Sequence, residues 1–247
     1  MNYFLLRFRC VELVATFLGA SVMATADPTA PPVEVSIHQL LDSRDQLESV
    51  LFGDVVHAVS GHPVLAVDPA DPVDVAMLDA IAEALASSLK QFADAEHPIH
   101  QIGRVNEISR LVEDSMQEEL DSIEGYLCEV PVNASGNRQR SGYPDLRFVH
   151  VESGRVFYLD PKVYRKGSET SSFRTFYFEP RATTNKILEP GSHLIIGVAH
   201  SGRVEGSWQL DDWQIVDLID FRVRLKAEFQ ASNRDLYKEE AVLRRME

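Results

Sequence analysis

Tyr143-Pro144-Asp145-Leu146-Arg147-Phe148-Val149-His150-Val151, then Glu152-Ser153-Gly154, then Arg155-Val156-Phe157-Tyr158-Leu159-Asp160-Pro161-Lys162-Val163-Tyr164 is the stretch on which the fold turns. Two runs rich in β-branched and aromatic residues flank a short Glu-Ser-Gly turn, which reads as a β-hairpin with strands over 145–151 and 155–164. A two-residue loop at Ser153-Gly154 sets Lys162 opposite Asp145. A two-residue loop at Glu152-Ser153 instead sets Asp160 opposite Asp145. Side chains alternate with period two, so either register leaves Asp145, Asp160 and Lys162 on one face. Opposed residues then hold their Cβ atoms about 5 Å apart, close enough for two carboxylates to share one hard divalent cation. An odd loop would turn one strand over and separate them.

Working outward from the hairpin, the chain changes grammar along its length. Asp27 to Pro32 is a proline-rich linker. Ser36 with Gln39 three residues on forms a capping box that opens a helix striped by Ile37, Leu40, Leu41, Leu47 and Leu51. Asp71-Pro72 is an N-cap followed by proline at the first helical position, and Val75, Leu78, Ala82, Leu85, Leu89 and Phe92 continue that helix to Ala95. A third helix over 102–123 carries Ile102, Val105, Ser109, Val112, Met116 and Ile123 on one face, with Glu113 on its shoulder and Gly125 at its end.

Strands follow at 126–132, at the hairpin, at 173–179 and at 194–200. Asn133 to Tyr143 reads as a mobile basic loop carrying Arg138 and Arg140. Residues 221–229 alternate Phe221, Val223, Leu225, Ala227 and Phe229 against Arg222, Arg224, Lys226 and Glu228, which reads as a strand with a basic face. A last helix covers 235–245. Helices followed by strands and mixed elements predict an α/β domain around one mixed sheet. Three segments result: a signal-like or mis-started stretch with linker over 1–32, an acidic helical region over 33–98, and a core over 99–247.

The net charge of −14 is unusual for a chain that meets phosphate. It is unevenly spread: residues 1–132 hold 6 Lys and Arg against 22 Asp and Glu, whereas residues 133–247 hold 18 against 16. The second part can therefore present a basic groove beside an acidic site. Only two cysteines, Cys10 and Cys128, are present, and no Cys/His zinc pattern occurs, so His97, His100, His193 and His200 read as structural. Residues 1–26 have two readings. Arg7 and Arg9 before an apolar run, closed by Ala24-Thr25-Ala26, resemble an export signal; alternatively translation starts at Met23 and the protein is cytoplasmic. The run is too short and too charged for a stable membrane span.

Pro144-Asp145, a hairpin, then Asp160-Pro161-Lys162 resembles the signature of the PD-(D/E)xK nucleases, whose best-known members are the type II restriction endonucleases. The resemblance covers about residues 99–240. It implies a restriction-endonuclease-like core, helix–strand–strand–strand–helix–strand around a mixed sheet, with the N-terminal helices as an extension. It also implies a Mg²⁺-dependent endonuclease acting on double-stranded DNA. Asp145, Asp160 and the Pro161 carbonyl would be metal ligands, Lys162 the water-orienting base, and Glu113 an auxiliary, metal-linked acid. Arg138, Arg140, Arg222, Arg224 and Lys226 would face DNA. The two-fold symmetry of palindromic sites would suit a homodimer. Pro161 departs from a regular strand, because proline removes a ladder donor and belongs on an edge or at a bulge. A non-catalytic α/β binding or scaffolding protein, exported and using its acidic helices, is the competing expectation.

Overall fold

A computed structural model of the chain describes residues 33–172 and 176–245. The two readings of residues 1–26 therefore lie outside the described residues. Helix α1 (Val33–Arg44) begins before Ser36, so Ser36 and Gln39 sit inside it and do not cap it. It also stops short of Leu47, which falls in a 3-10 turn (Asp45–Leu47), and of Leu51, which falls in the two-residue strand β1 (Val50–Leu51).

From Arg44 onward the elements are α2 (Phe52–Ser60), α3 (Pro72–Phe92), α4 (Val105–Asp121), β2 (Tyr126–Glu129), β3 (Leu146–His150), β4 (Arg155–Arg165), β5 (Ser192–Val204), β6 (Ser207–Asp217), β7 (Arg222–Val223) and α5 (Asn233–Leu236). Strands β2 to β6 form one sheet in chain order, with β4 and β5 parallel and every other neighbouring pair antiparallel. This is the mixed α/β architecture of a restriction-endonuclease-like fold. Among the described residues of 166–191, the crossover from β4 to β5 contains no helix, although the family resemblance implies one at that step.

The sheet separates two cores. On one face α3 and α4 pack against Phe148, Phe157, Leu159, Leu194, Ile196 and Val198. On the other, Phe52 and Val56 of α2 meet Tyr143, Val149, Val156, Tyr158, Ile187 and Leu218. Odd and even positions of β4 thus serve different cores, as a pleated strand requires.

Asp71 caps α3 by accepting the Val73 N–H at 2.7 Å, with Pro72 opening the helix as its sequence predicts. The buried stripe, however, is Met77, Ile81, Ala84, Leu85, Ser88 and Phe92, rotated from the one read off the sequence, and Val75 is exposed. The turn of the helix follows from Asp74, which faces inward to Arg155. In α4 the stripe is Ile108, Val112, Met116 and Leu120. That helix ends at Ser122, and Gly125, with φ of 86°, makes the left-handed turn into β2.

Two expected strands are absent. Residues 176–179 are irregular, and Phe176 and Phe178 pack into the second core. With β4 and β5 hydrogen-bonded directly to each other, no slot exists between them for another strand. Residues 173–175 of that expectation lie outside the described residues. The 221–229 alternation also fails as a strand: only Arg222 and Val223 pair, with Leu51 and Val50. One further backbone bond flanks that ladder on each side, Phe52 N–H to the Phe221 carbonyl and Leu225 N–H to the Leu47 carbonyl, and Phe229 ends 86% exposed. The basic stripe of Arg222, Arg224 and Lys226 is accordingly not a strand face, and Lys226 pairs with Glu228. Instead of a last helix over 235–245 there is one turn, α5, and a 3-10 turn (Glu239–Ala241).

Arg155 joins α3 to the sheet. Its Nε and Nη2 donate to Asp74 Oδ1 and Oδ2 at 2.6 and 2.9 Å, and Nη2 also reaches Ser192 Oγ and the Ala66 carbonyl. Burial alone would raise the Asp74 pKa, yet the Arg155 hydrogen bonds, the Asp68 N–H and the Arg155 charge hold it below the usual carboxylate range. Removing one partner of such a pair strands the other's charge. Asp74→Ala should cost about 3 kcal/mol in urea unfolding at pH 7. Since its folded pKa is depressed, that contribution is present above the unfolded pKa and fades as pH falls through the folded value, so the wild-type–variant gap should narrow in acid.

Candidate active site

Strand β3 meets β4 in the register Leu146↔Leu159 through His150↔Arg155, closed by the four-residue turn 151–154. An even turn was needed, and this one produces the alignment with Asp160 opposite Asp145. The Asp145 N–H donates to the Leu159 carbonyl at 3.1 Å, just ahead of Leu146, the first paired residue of β3. Asp145 thus stands where β3 starts, and β4 runs on past it, paired only with β5.

That geometry explains Pro161. The Leu159 carbonyl points toward β3, so in a pleated strand the Pro161 nitrogen and carbonyl point the same way. There β3 has already ended. The missing N–H costs no rung, the pairing of Pro161 with Ile196 of β5 continues, and the proline sits at a local edge inside a central strand.

The side chains of Asp145, Asp160 and Lys162 come together on the sheet face shared with Tyr158. Lys162 Nζ lies 2.7 Å from Asp160 Oδ2 and 3.4 Å from Asp145 Oδ2. The Asp160 side chain is only 3% exposed, and its Oδ2 has this ionic contact but no hydrogen bond of good geometry. Burial raises the Asp160 pKa; Lys162 opposes that rise and Asp145 adds to it. Burial by itself would lower the Lys162 pKa, but Asp160 and Asp145 drive it above the ordinary value. With Gly142, Tyr143 and Tyr177, these three residues line a cleft of about 70 Å³, room for a few waters. Tyr177 is 68% exposed at this cleft.

Beneath the pair, Tyr143 is buried. Its hydroxyl lies 2.7 Å from His193 Nδ1, and the two rings stack with centroids 5.7 Å apart. Burial lowers the His193 pKa to about 3, so the imidazole is neutral, and its role is packing under the site.

Glu113 comes from α4, which packs on the opposite face of the sheet. It is near enough that, after burial, the charge of Asp145 raises its pKa and that of Lys162 lowers it, for a result of about 7. Among the described residues, no three His, Cys, Asp or Glu side chains lie close enough together to hold one ion. The two opposed carboxylates do suit a hard cation: both donors are oxygen, one is buried with an oxygen in no hydrogen bond of good geometry, and Mg²⁺ is commonly held by one or two carboxylates with water and phosphate completing its shell.

The loop 133–143 proves to be tethered. Arg138 pairs with Glu129 at 3.2 Å and Arg140 with Asp114 at 2.5 Å. Asn133 accepts the Ser135 and Asn137 N–H groups on its side-chain oxygen, and the Ala134 N–H donates to the Asn185 carbonyl. Lys186 is the residue that sequence reasoning missed. It is buried, donates to the Gln139 carbonyl at 3.1 Å, and feels the charges of Asp145, Asp160 and Glu113. A lone lysine in an irregular segment has no periodicity to betray its burial.

The model of the Type II restriction enzyme MjaV family matches residues 46–240. The type II restriction enzyme MjaV of Methanocaldococcus jannaschii is 26% identical over 223 residues, covering 85% of this chain and 94% of that protein.

Glu113 holds its proton in the folded protein up to a pH at which the unfolded chain, with an ordinary carboxylate value of 4.5, has already released it. Stability in metal-free buffer should therefore fall as pH rises from about 4.5 to about 7. Glu113→Gln should raise stability at pH 8 by about 1–2 kcal/mol, discounted for partial solvent access, and confer none near pH 4. Equal gains at both pH values in chelator-containing unfolding titrations would contradict the burial argument.

Proposed function

We propose, for a chain that belongs to the Type II restriction enzyme MjaV family, that it is a Mg²⁺-dependent endonuclease hydrolysing phosphodiester bonds in double-stranded DNA at the Asp145–Asp160–Lys162 cleft. One observation carries the reading: two carboxylates face each other across a hairpin with a lysine ammonium within 3.4 Å of both. Ordinary strand faces do not bury such a trio, because each charge taken from water needs a partner or a purpose.

In this reading Asp145, Asp160 and the Pro161 carbonyl would hold the ion, and Mg²⁺ would supply Lewis acidity there for phosphodiester hydrolysis. Lys162 Nζ orients the attacking water and offsets negative charge building on the phosphoryl group. Glu113, from the helix that precedes the sheet, is the auxiliary, metal-linked acid of this reading, close enough for the charges of Asp145 and Lys162 to act on it. Arg138 and Arg140 are half-exposed beside the cleft, and exchanging Glu129 and Asp114 for DNA phosphates would cost them little, since surface ion pairs are weak. Exposed Arg222 and Arg224, with Lys226, are assigned outlying phosphate contacts on accessibility alone. A palindromic target would suit a homodimer. No described helix is long and apolar enough to cross a membrane, and a restriction role would set the enzyme among cytoplasmic DNA.

Purified protein should linearise or fragment plasmid DNA with Mg²⁺ and leave it intact with chelator. Asp160→Ala and Lys162→Ala should each lower the cleavage rate by about a thousandfold or more while unfolding stays cooperative. Cutting by both variants at the wild-type rate would refute the assignment.

A further inference from the structure

A lysine that is 2% exposed demands an explanation, since ammonium groups are rarely buried without a charge to answer. Lys186 belongs to the irregular crossover between β4 and β5. Its single described hydrogen bond runs to a backbone carbonyl, Gln139 O, at 3.1 Å. A carbonyl carries only partial charge, and the ammonium has three donors. The full charges acting on it are those of Asp145, Asp160 and Glu113, opposed by Lys162.

The same crossover grips the loop twice more. The Ala134 N–H donates to the Asn185 carbonyl, and Ser135 Oγ donates to the Thr183 carbonyl at 3.1 Å. Residues 183–186 therefore form a strap across the loop 133–143. That loop leads directly into Tyr143, Pro144 and Asp145, and its Arg140 is paired to Asp114, the neighbour of Glu113.

We infer that Lys186 is a positioning residue of the proposed nuclease site: it clamps the 133–143 loop through the Gln139 carbonyl and sets a buried positive charge behind the acidic cluster. The inference rests on the nuclease reading for its effect on rate, but the clamp itself does not. Burial decides between positioning and substrate contact. A group with 2% exposure does not touch a phosphate unless the loop opens, so its influence passes through the loop and the field. Burial lowers the Lys186 pKa to about 8 despite the three acids, which says that the site keeps this cation at a cost a purely apolar residue would avoid.

The test compares Lys186→Met and Lys186→Arg with wild type, using plasmid cleavage with Mg²⁺ and amide hydrogen exchange of the metal-free proteins. Lys186→Met should lower kcat by about tenfold to a hundredfold with KM for DNA changed less than about threefold, and Lys186→Arg should recover most of the rate. In the same Met variant the amides of Ala134 to Asn137 should lose about tenfold in protection while those of β4 and β5 keep theirs. Unchanged kcat, or a rise in KM alone, would overturn the proposal. Unchanged loop protection would overturn it whether or not the protein cuts DNA. A wild-type protein inert on DNA would sink the nuclease reading and leave exchange to decide the clamp. Should Lys186→Met not fold, Ser135→Ala removes another strap bond and keeps the lysine; it should lower kcat by roughly threefold or more, and an unaffected rate would count against the strap.

Discussion

The pairing of Leu146 with Leu159 through His150 with Arg155 sets the alignment of β3 on β4. Because side chains alternate, a slip of one residue would send Asp160 and Lys162 into the core beneath α3 and α4. There they would displace the odd-numbered apolar residues Phe157 and Leu159. The register is thus defended from both sides. One face of β4 needs its apolar residues against the helices, and the other needs Val156 and Tyr158 against Phe52 and Tyr143. Two packed faces leave the strand a single position in which to lie, and the acidic pair inherits its geometry from that requirement.

Placing the pair at the start of β3 has a second consequence. β3 ends there, so β4 is open on one side for its last residues. That opening accepts proline without loss of a rung, with the carbonyl of residue 161 directed to the side that β3 has vacated. It also leaves Lys162 half-buried, close enough to both carboxylates to balance them and open enough to meet solvent. A site in mid-sheet, flanked on both sides by hydrogen-bonded strands, would offer neither. The cleft is therefore a feature of strand lengths as much as of side chains.

The surroundings hold charge in a graded way. Asp74 with Arg155 forms a closed pair that ties α3 to β4 and takes no part in the cleft. Arg138 with Glu129 and Arg140 with Asp114 are exposed pairs on the loop that leads into Asp145. Lys186 is buried behind that loop, and Glu113 arrives from the opposite layer with its proton affinity raised by burial and by Asp145. Acids crowded near a low-dielectric face repel one another, and each nearby cation relieves part of that repulsion. The net acidity of the chain lies mostly in residues 1–132, and of those acids Glu113, Asp114 and Glu129 stand by the site and its loop, the last two paired with Arg140 and Arg138.

The hairpin, its polarity and the union of Asp145, Asp160 and Lys162 on one face were determined by sequence alone. They depend on local alternation and an even turn, which are properties of neighbours in the chain. The Asp71-Pro72 helix start was legible for the same reason. What tertiary structure decided lies beyond local rules. The alternation of 221–229 satisfies the strand pattern completely, yet its backbone is bonded to a neighbouring segment only over 221–225, and beyond that the fold supplies it no partner among the described residues. The buried face of α3 turned toward Asp74 because a distant arginine, 81 positions on, waited for that carboxylate. Lys186 is invisible in sequence, since an irregular segment carries no period and its burial comes from a strap closed across 47 residues. Pattern specifies which faces a segment can bury; only the partners available in the fold decide which of them it does.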